Sequence, residues 1–406
     1  MAYAKQTFTA NTVLTSTQMN NVENNISDHV HGESGVSDTA RGMRVSSYFS
    51  VGSHSVFLAP VYPEQNLGFG NSSCRSLAGN AVGNFAFGYF CMTAVSSGRE
   101  NTLSGYYAGS IIKGNYNSGF GALALQNCGL ANNNSGFGYG ALNGCTSGTS
   151  NSGFGYNALV AGTGISGCNA FGSAALYACS GDDNCAFGSS AGTAVTSGTG
   201  NSFFGTAAGN ALTIGGQNTF IGAQCGATTT TASRSTCLGY GSTIVNYSNA
   251  TALGNGATVA GNNEVQLGNS ATTTYAYGAV QNRSDARDKT DVRCTVLGLK
   301  FINALTAVDF RWDYREDYRA VGIEKDGSLA RGRHHHGLIA QQVKSACDAL
   351  GVDFAGYQDH KLAGGDDVLS IGYSELIAPL IRAVQELTTR VQELEAKHVD
   401  SNLSGP

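Results

Sequence analysis

A pattern of apolar and small polar residues recurs about every 17 positions through the middle of the chain. The unit is Asn-x-x-Phe-Gly, two further residues and then Ala-Leu, and it is clearest at 117–125, 134–142 and 151–159. Self-similarity at a short fixed period is typical of solenoids, in which each repeat forms one coil of a rod. Thirteen anchoring glycines, 14 to 18 residues apart, mark the copies: Gly70, Gly88, Gly105, Gly121, Gly138, Gly155, Gly172, Gly188, Gly205, Gly222, Gly239, Gly254 and Gly268.

A repeat of this length is too short for a helical hairpin and predicts two short strands with two tight turns, one coil of a parallel β-solenoid or β-roll. Gly and Asn supply the positive φ angles of the corners. The Phe before each anchoring glycine is expected to point into the core and to stack on the Phe of the next coil. Because a thin coil buries little apolar area alone, we expect a homotrimer, built either of three single-chain rolls or of three interwound chains.

A second apolar pattern lies near the C-terminus, where spacings of four and three residues alternate over 373–397. This heptad pattern predicts a coiled coil that joins three parallel helices, with a monomeric amphipathic helix as the alternative. The seam consists of Tyr373, Ile377, Leu380, Val384, Leu387, Val391 and Leu394.

A short helix is also predicted near the N-terminus, where apolar residues recur over 19–30 behind a Ser16 or Thr17 N-cap. His29 and His31 follow this stripe. Three copies of the pair could offer six imidazoles to one metal ion, and a solvated linker is the alternative. We expect no other metal and no cofactor.

The distribution of charge divides the chain into three parts. Only nine of the 51 charged residues lie in 51–281, and the net charge is −5. We therefore assign 1–46 to an N-terminal segment, 47–281 to a Gly- and Asn-rich β-rod and 282–406 to an α+β domain. The acidic balance argues against nucleic acid as a partner. The lack of a long apolar run argues against membrane insertion, and no apolar secretion signal is expected at the N-terminus.

Cysteines and tyrosines fall at fixed places in the repeat. Cys128, Cys145 and Cys179 each follow an anchoring glycine by seven residues, in the register that elsewhere holds aliphatic residues. We expect reduced, buried thiols, as in a protein assembled in a cytoplasm, with disulfides or a metal site as alternatives. A tyrosine stripe, suited to stacking on sugars or to packing between protomers, consists of Tyr89, Tyr106, Tyr139, Tyr156 and Tyr240.

The C-terminal part carries a resemblance to a known family. The charged segment NRSDARDKTDVR at 282–293 is followed by LGLKFINALTAVDFRWDY, HHHGLIAQQVKSACDALGVDF and the heptad block at 369–397. In this order the blocks resemble the intramolecular chaperone domain of phage tailspikes and tail fibres, the S74 peptidase family. The resemblance implies that the domain brings three chains into register and then cuts itself off at its own N-terminal edge.

The family's Ser-Asp-x-Arg-x-Lys pattern stands here as Ser284, Asp285, Arg287 and Lys289. The resemblance implies that Ser284 is the nucleophile, that Lys289 is its general base and that the scissile bond is Ser284–Asp285. A lysine base must be neutral, and burial lowers the pKa of a lysine amine. Asp288 stands where the family often has an apolar residue, so we expect its carboxylate to favour protonated lysine and to slow cleavage.

Two shorter stretches resemble fibrous surface proteins. Residues 250–271 resemble the head repeats of trimeric autotransporter adhesins, and residues 7–26 resemble the N-terminus of phage tail fibres. The expected protein is a virion tail fibre, assembled in the host cytoplasm. It would attach to a phage tail or baseplate protein through its N-terminus and contact a host surface glycan or protein.

The expected chemistry is self-cleavage only, with no external substrate. One alternative is a glycan-degrading tailspike, which needs two carboxylates about 5–10 Å apart. The other alternative is a bacterial trimeric surface adhesin. The rod offers few carboxylates for the first: Glu64, Glu100, Asp182, Asp183 and Glu264.

Overall fold

The computed structural model describes residues 49–51, 54–56, 66–75, 80–362 and 364–403. The predicted N-terminal helix and the candidate pair His29 and His31 lie outside these residues. Among the described residues, none of the helices has the length and apolar character needed to cross a bilayer.

The repeat region forms a parallel β-solenoid, as the sequence predicts. An antiparallel pair, β1 (Phe49–Val51) with β2 (His54–Val56), precedes it. Each coil contributes one three-residue strand rather than the two that were expected, and the strands stack in chain order into one 13-stranded parallel sheet. They are β3 (Leu67–Phe69), β4 (Phe85–Phe87), β5 (Thr102–Ser104), β6 (Ser118–Phe120), β7 (Ser135–Phe137), β8 (Ser152–Phe154), β9 (Asn169–Phe171), β10 (Cys185–Phe187), β11 (Ser202–Phe204), β12 (Thr219–Ile221), β13 (Thr236–Leu238), β14 (Thr251–Leu253) and β15 (Val265–Leu267).

The phenylalanine before each anchoring glycine points outward, so the predicted inward orientation is wrong. Successive strand residues face opposite sides, and the solenoid buries the middle residue of the strand instead. The predicted stacking is confirmed: from Phe120 to Phe204, neighbouring rings lie 4.6–5.1 Å apart and within 13° of parallel. The result is an outer aromatic ladder, which consists of Phe120, Phe137, Phe154, Phe171, Phe187 and Phe204.

Two positions of the repeat fill the core of each coil, and a small residue at one is matched by a large residue at the other. In the regular coils the middle strand residue is small, and the Leu of the Ala-Leu pair is fully buried, as for Leu125 below Gly136. In the later coils Phe203 and Phe220 occupy the middle position, and glycine replaces the leucine. A Cβ added at Gly209 would overlap the Phe203 ring, so the two positions share one volume.

The anchoring glycines are required by the close approach of the next coil. Gly138 has a φ of +131°, and a Cβ there would lie 2.5 Å from the carbonyl oxygen of Gly155. No side chain fits that distance, which explains why the position keeps glycine through the repeat.

A ladder of buried asparagines connects the coils, and the sequence pattern did not reveal its role. The Asn134 side chain donates to the carbonyl oxygen of Gly148 at 3.0 Å and to Oδ1 of Asn117 at 3.1 Å. Its own Oδ1 accepts from the backbone and side-chain nitrogens of Asn151, both at 3.0 Å. Each asparagine thus satisfies buried groups of the coils before and after it.

Replacing Asn134 by alanine is expected to lower the free energy of unfolding by about 2–4 kcal/mol, because it leaves several buried polar groups unpaired. Asn127→Ala is the control, since the Asn127 side chain bonds only Asn143 at an exposed position, and it should change stability by less than about 0.5 kcal/mol. Denaturant unfolding followed by circular dichroism measures both. Equal effects of the two variants would show that the ladder does not stabilise the rod.

The structure confirms buried, unpaired thiols at the three predicted cysteines, and it places the tyrosine stripe on the surface. All eleven cysteines are free, and Cys128, Cys145 and Cys179 are fully buried. Burial raises the pKa of the Cys74 thiol to about 11 and that of Cys91 to about 12, so both stay protonated at neutral pH. The five tyrosines of the stripe are 45–58% exposed, and Tyr139 stacks on Tyr156.

The C-terminal part is a small α+β domain, as predicted. Two antiparallel strand pairs form, Val308–Arg311 with His334–Gly337 and Tyr357–Asp359 with Leu369–Ile371. The core contains Phe301, Val343, Cys347 and Phe354. A short 3₁₀ helix, Tyr373–Leu376, leads into the last helix. The elements are α1 (Leu299–Ala304), β16 (Val308–Arg311), α2 (Arg315–Val321), β17 (His334–Gly337), α3 (Ala340–Leu350), β18 (Tyr357–Asp359), β19 (Leu369–Ile371) and α4 (Ile377–Leu403).

The seam predicted for the coiled coil is exposed. Its six members on α4 are 46–64% accessible in the single chain. Tyr373 lies in the 3₁₀ helix instead, where its hydroxyl accepts a hydrogen bond from the backbone nitrogen of Leu338 at 2.9 Å. Tyr373 therefore takes part in the packing of its own domain, ahead of the helical seam.

Candidate active site

The predicted catalytic residues lie in the segment between the last strand of the rod and α1. Residues 269–284 are all exposed. A 3₁₀ turn, Ala286–Asp288, follows, and its N-cap Asp285 accepts a hydrogen bond from the backbone nitrogen of Arg287 at 2.9 Å. The backbone N–H of Lys289 closes the turn by donating to the carbonyl oxygen of Ala286. The turn folds position 289 back towards position 284.

Ser284 and Lys289 are in direct contact. The Lys289 Nζ donates to the Ser284 Oγ at 2.7 Å. This distance is within the reach of proton transfer between a nucleophile and a general base. The structure thus brings together the two residues that the sequence paired on family resemblance.

The other motif residues hold the turn. The Arg287 Nη2 lies 2.6 Å from the Asp285 Oδ2, and the hydrogen bond from this guanidinium holds the pKa of the Asp285 carboxyl below its usual range. Asp288, which we expected to act on Lys289, pairs instead with the Arg283 Nε at 2.8 Å. The guanidinium of Arg283 therefore offsets the carboxylate next to the candidate base.

The site is open in the single chain. Ser284 and Lys289 are both exposed, and large apolar side chains before and after them in the sequence are exposed to solvent as well. Tyr275 is 90% exposed, Val280 85% and Val292 79%. Exposed apolar side chains at this density favour a further protein surface over the site.

A carboxylate from α4 caps α1, a contact that sequence reasoning missed. The carboxylate belongs to Glu386. Its Oε2 accepts from the backbone nitrogen of Leu299 at 2.8 Å, and its Oε1 accepts from the Arg382 Nε at 2.8 Å. The hydrogen bond from Leu299, aided by Arg382, lowers the pKa of Glu386. No local sequence pattern predicts this cap, because Leu299 and Glu386 are 87 positions apart in the sequence.

We expect Glu386→Gln to lower the melting temperature of the C-terminal domain at pH 7, because a neutral amide is the weaker acceptor at a helix N-terminus. A lowered pKa stabilises the fold above the unfolded value, near 4.5, and this stabilisation is lost as the pH falls through the folded pKa. The difference between wild type and variant should therefore shrink below about pH 4.5. Thermal melts from pH 3 to 7 measure this, with Glu393→Gln as the control on the same helix, and a pH-independent difference would contradict it.

A second group of contacts joins the rod to the domain. The Glu264 carboxylate pairs with the His360 Nδ1, and the His360 Nε2 lies 3.0 Å from the Ser370 Oγ. The Tyr247 hydroxyl donates to the Asp366 carboxylate at 2.7 Å. Burial and this carboxylate raise the pKa of Tyr247 to about 12. The sequence offered Glu264 only as a candidate glycosidase carboxylate, and the structure gives it this contact.

Of the five carboxylates considered for glycan cleavage, Glu64 lies outside the described residues and Glu264 takes part in the contact just described. Asp182 accepts a hydrogen bond from the backbone nitrogen of Ser166 at 2.8 Å, in a turn between coils. Within the described ranges, no group of three or more His, Cys, Asp or Glu side chains is placed to hold a metal ion.

A family model matches the segment that contains the candidate site. Residues 284–352 match the model of the peptidase S74 family, described as the chaperone of endosialidase. The match begins at Ser284 and includes Lys289. No curated protein matches the chain. A segment similar to the S74 chaperone, placed behind a parallel β-solenoid, fits a protein of the tail-fibre or tailspike type.

Proposed function

We propose that this chain is the subunit of a trimeric virion fibre that contacts a host cell surface. Its C-terminal domain brings three chains together and then removes itself by cleavage next to Ser284. The observation that carries the proposal is the 2.7 Å contact between the Lys289 Nζ and the Ser284 Oγ, inside the segment that matches the S74 family.

The exposed apolar surfaces support a trimer of this same chain. Helix α4 has 27 residues, a length of about 40 Å, and presents its apolar seam to solvent. Two further copies of α4 would bury that seam in a heptad coiled coil. The same two partner chains would also bury the exposed apolar side chains around Ser284. One trimer would therefore bury both this surface and the seam of α4.

The cleavage is a net hydrolysis. The Ser284 hydroxyl attacks a peptide carbonyl, and the neutral Lys289 amine takes its proton. An ester forms, the peptide nitrogen leaves as an amine with the proton from Lys289, and water then hydrolyses the ester. Attack on the carbonyl of Arg283 passes through a five-membered ring and cuts before Ser284. Attack by Ser284 on its own carbonyl would need a four-membered ring, so a cut after Ser284 uses the hydroxyl of another protomer.

Assembly would control this reaction. A lysine general base must be neutral, and burial favours the neutral form. In the single chain Lys289 is exposed. Cover by neighbouring protomers would supply the burial, so the domain would cut only after it has assembled the fibre.

The remaining parts of the fibre follow from this assignment. The N-terminal segment 1–46 would join a tail or baseplate protein, and assembly would take place in the host cytoplasm. The outer aromatic ladder and the tyrosine stripe give the rod two exposed aromatic surfaces. One suits packing between protomers and the other suits a host glycan or protein, because aromatic faces serve both purposes.

Gels and intact mass of the expressed full chain test the proposal. Unheated samples should contain a detergent-resistant trimer. Heated samples should contain a rod fragment and a fragment of about 13 kDa, in proportion to the 41.8 kDa of the 406-residue chain. The exact masses identify which side of Ser284 is cut. Uncut trimers would contradict the cleavage alone, and uncut monomers would contradict the assembly as well. Depolymerisation of a host polysaccharide by the purified fibre would favour the glycan-degrading alternative.

A further inference from the structure

Each contact between the rod and the C-terminal domain joins one residue before the candidate cleavage site in the sequence to one residue after it. Tyr247, Ala260 and Glu264 belong to the rod piece, whereas His360 and Asp366 belong to the piece that follows Ser284. We call this set the docking contact. A cut at Ser284 leaves every one of its members intact.

The docking contact combines backbone and side-chain interactions. The backbone nitrogen of Asp366 donates to the carbonyl oxygen of Ala260 at 2.6 Å, in addition to the hydrogen bond that its carboxylate accepts from Tyr247. Next to it, Gly365 packs so closely on Ala260 that a Cβ on Gly365 would overlap the carbonyl oxygen. His360, Gly365 and Asp366, between β18 and β19, are thus in close contact with the last coils of the rod.

The hydrogen bond between Glu264 and His360 in this contact is partly shielded from water. The His360 side chain is 13% exposed and that of Glu264 is 21% exposed. Partly buried, hydrogen-bonded pairs are screened less by salt than surface pairs. A second link joins the same two parts of the chain, where the Ser270 hydroxyl donates to the Asp317 carboxylate at 2.9 Å.

The docking contact lies at the end of the solenoid, where the last coil needs a cap. β15 is the last strand of the parallel sheet, and its outward residues Val265 and Leu267 are 68% and 48% exposed. The terminal coils of solenoids need caps, because an open edge strand pairs readily with other chains. Gly365 and Asp366 contact the turn that leads into β15, at Ala260 and Gly261.

We propose that the docking contact, and not the peptide bond, holds the C-terminal domain on the rod, so that the severed domain stays bound as a cap on the last coils. This inference rests on the proposed function, because self-cleavage is the event that would sever the domain. The strength of the docking contact can be tested without self-cleavage. Release of the domain would then be a dissociation step, separate from the cut.

The experiment uses the full chain with a recognition sequence for an added protease placed in 271–274, where every residue is exposed and none is among the large apolar side chains that the proposed trimer would cover. The cut is made by this protease, and size-exclusion chromatography under native conditions then measures how much C-terminal fragment elutes with the rod. The wild-type fragment should co-elute. In the double variant His360→Ala, Asp366→Ala the fragment should bind about tenfold more weakly or worse, because at least two hydrogen bonds are lost.

Two further variants keep the result interpretable. Leu362→Ala is the matched control, because Leu362 lies in the same loop and is 85% exposed, and its fragment should co-elute like the wild type. Tyr247→Phe removes one oxygen atom from the rod and should weaken retention without disturbing the fold. The proposal is wrong if the wild-type fragment leaves the rod as soon as the chain is cut, or if the double variant retains it equally well. A chain that is cut only by the added protease would contradict the proposed self-cleavage and leave this measurement valid.

Discussion

Ser284→Ala and Lys289→Ala are each expected to abolish the fragment of about 13 kDa and to leave a full-length trimer. The first removes the oxygen that attacks the peptide carbonyl, and the second removes the only side chain that contacts this oxygen among the described hydrogen bonds. Residues that act as one catalytic unit give similar losses when either is removed. Intact mass of the purified fibres measures the cleaved fraction.

Lys289→Arg separates a catalytic lysine from a structural one. Arginine keeps the positive charge and the donor to Ser284, but it stays protonated at any pH at which proteins fold. The variant should therefore assemble and stay uncut. If it is cut at the wild-type rate, Lys289 positions the serine and does not act as a base.

Asp288→Asn is the matched control in the same turn. Asp288 pairs with Arg283 and not with Lys289, and both side chains of that pair are exposed. Exposed pairs contribute little, so the rate of cleavage should change less than about threefold. A large increase in rate would restore the expectation from sequence that this carboxylate slows the reaction.

The sequence predicted the solenoid because its period is visible without any knowledge of side-chain direction. The direction itself was wrong for the phenylalanines, since a pattern of Phe-Gly does not reveal which residue of a three-residue strand faces the core. One signal was available: where Phe203 and Phe220 enter the middle position, the leucine is replaced by glycine in their own coils, at Gly209 and Gly226, and in the coil before, at Gly192. Such an exchange of volume marks two positions that share one core.

The pairing of Ser284 with Lys289 was predicted from the family resemblance, because both residues belong to one short motif of that family. Long-range contacts gave no such signal. Glu264 meets His360 across 96 residues, and Glu386 meets Leu299 across 87. Each of these pairs depends on how separate elements pack, which neither the periodicity nor the spacing of one segment encodes.

Charged substitutions in the distal seam of α4 are expected to dissociate the fibre into monomers. Val391 and Leu394 are 50% and 64% exposed in the single chain, so Val391→Asp with Leu394→Asp should leave the isolated domain folded. In a coiled coil the two carboxylates would be buried against those of two other helices, at a cost of several kcal/mol. Gln392→Asp is the control on the same turn of the helix, where it adds one charge outside the seam. Sedimentation velocity at fixed protein concentration measures the oligomeric state.

The same variant tests whether assembly controls cleavage. If neighbouring protomers supply the burial that makes Lys289 neutral, the monomeric variant keeps Ser284 and Lys289 in place and still stays uncut. Circular dichroism should meanwhile report a folded helix and rod. A monomer that cuts itself would place the whole reaction within one chain, and a trimer that survives both aspartates would remove the seam of α4 as the interface. If the variant loses both the trimer and the fragment, then trimerisation through the seam of α4 is required for cleavage by Ser284 and Lys289.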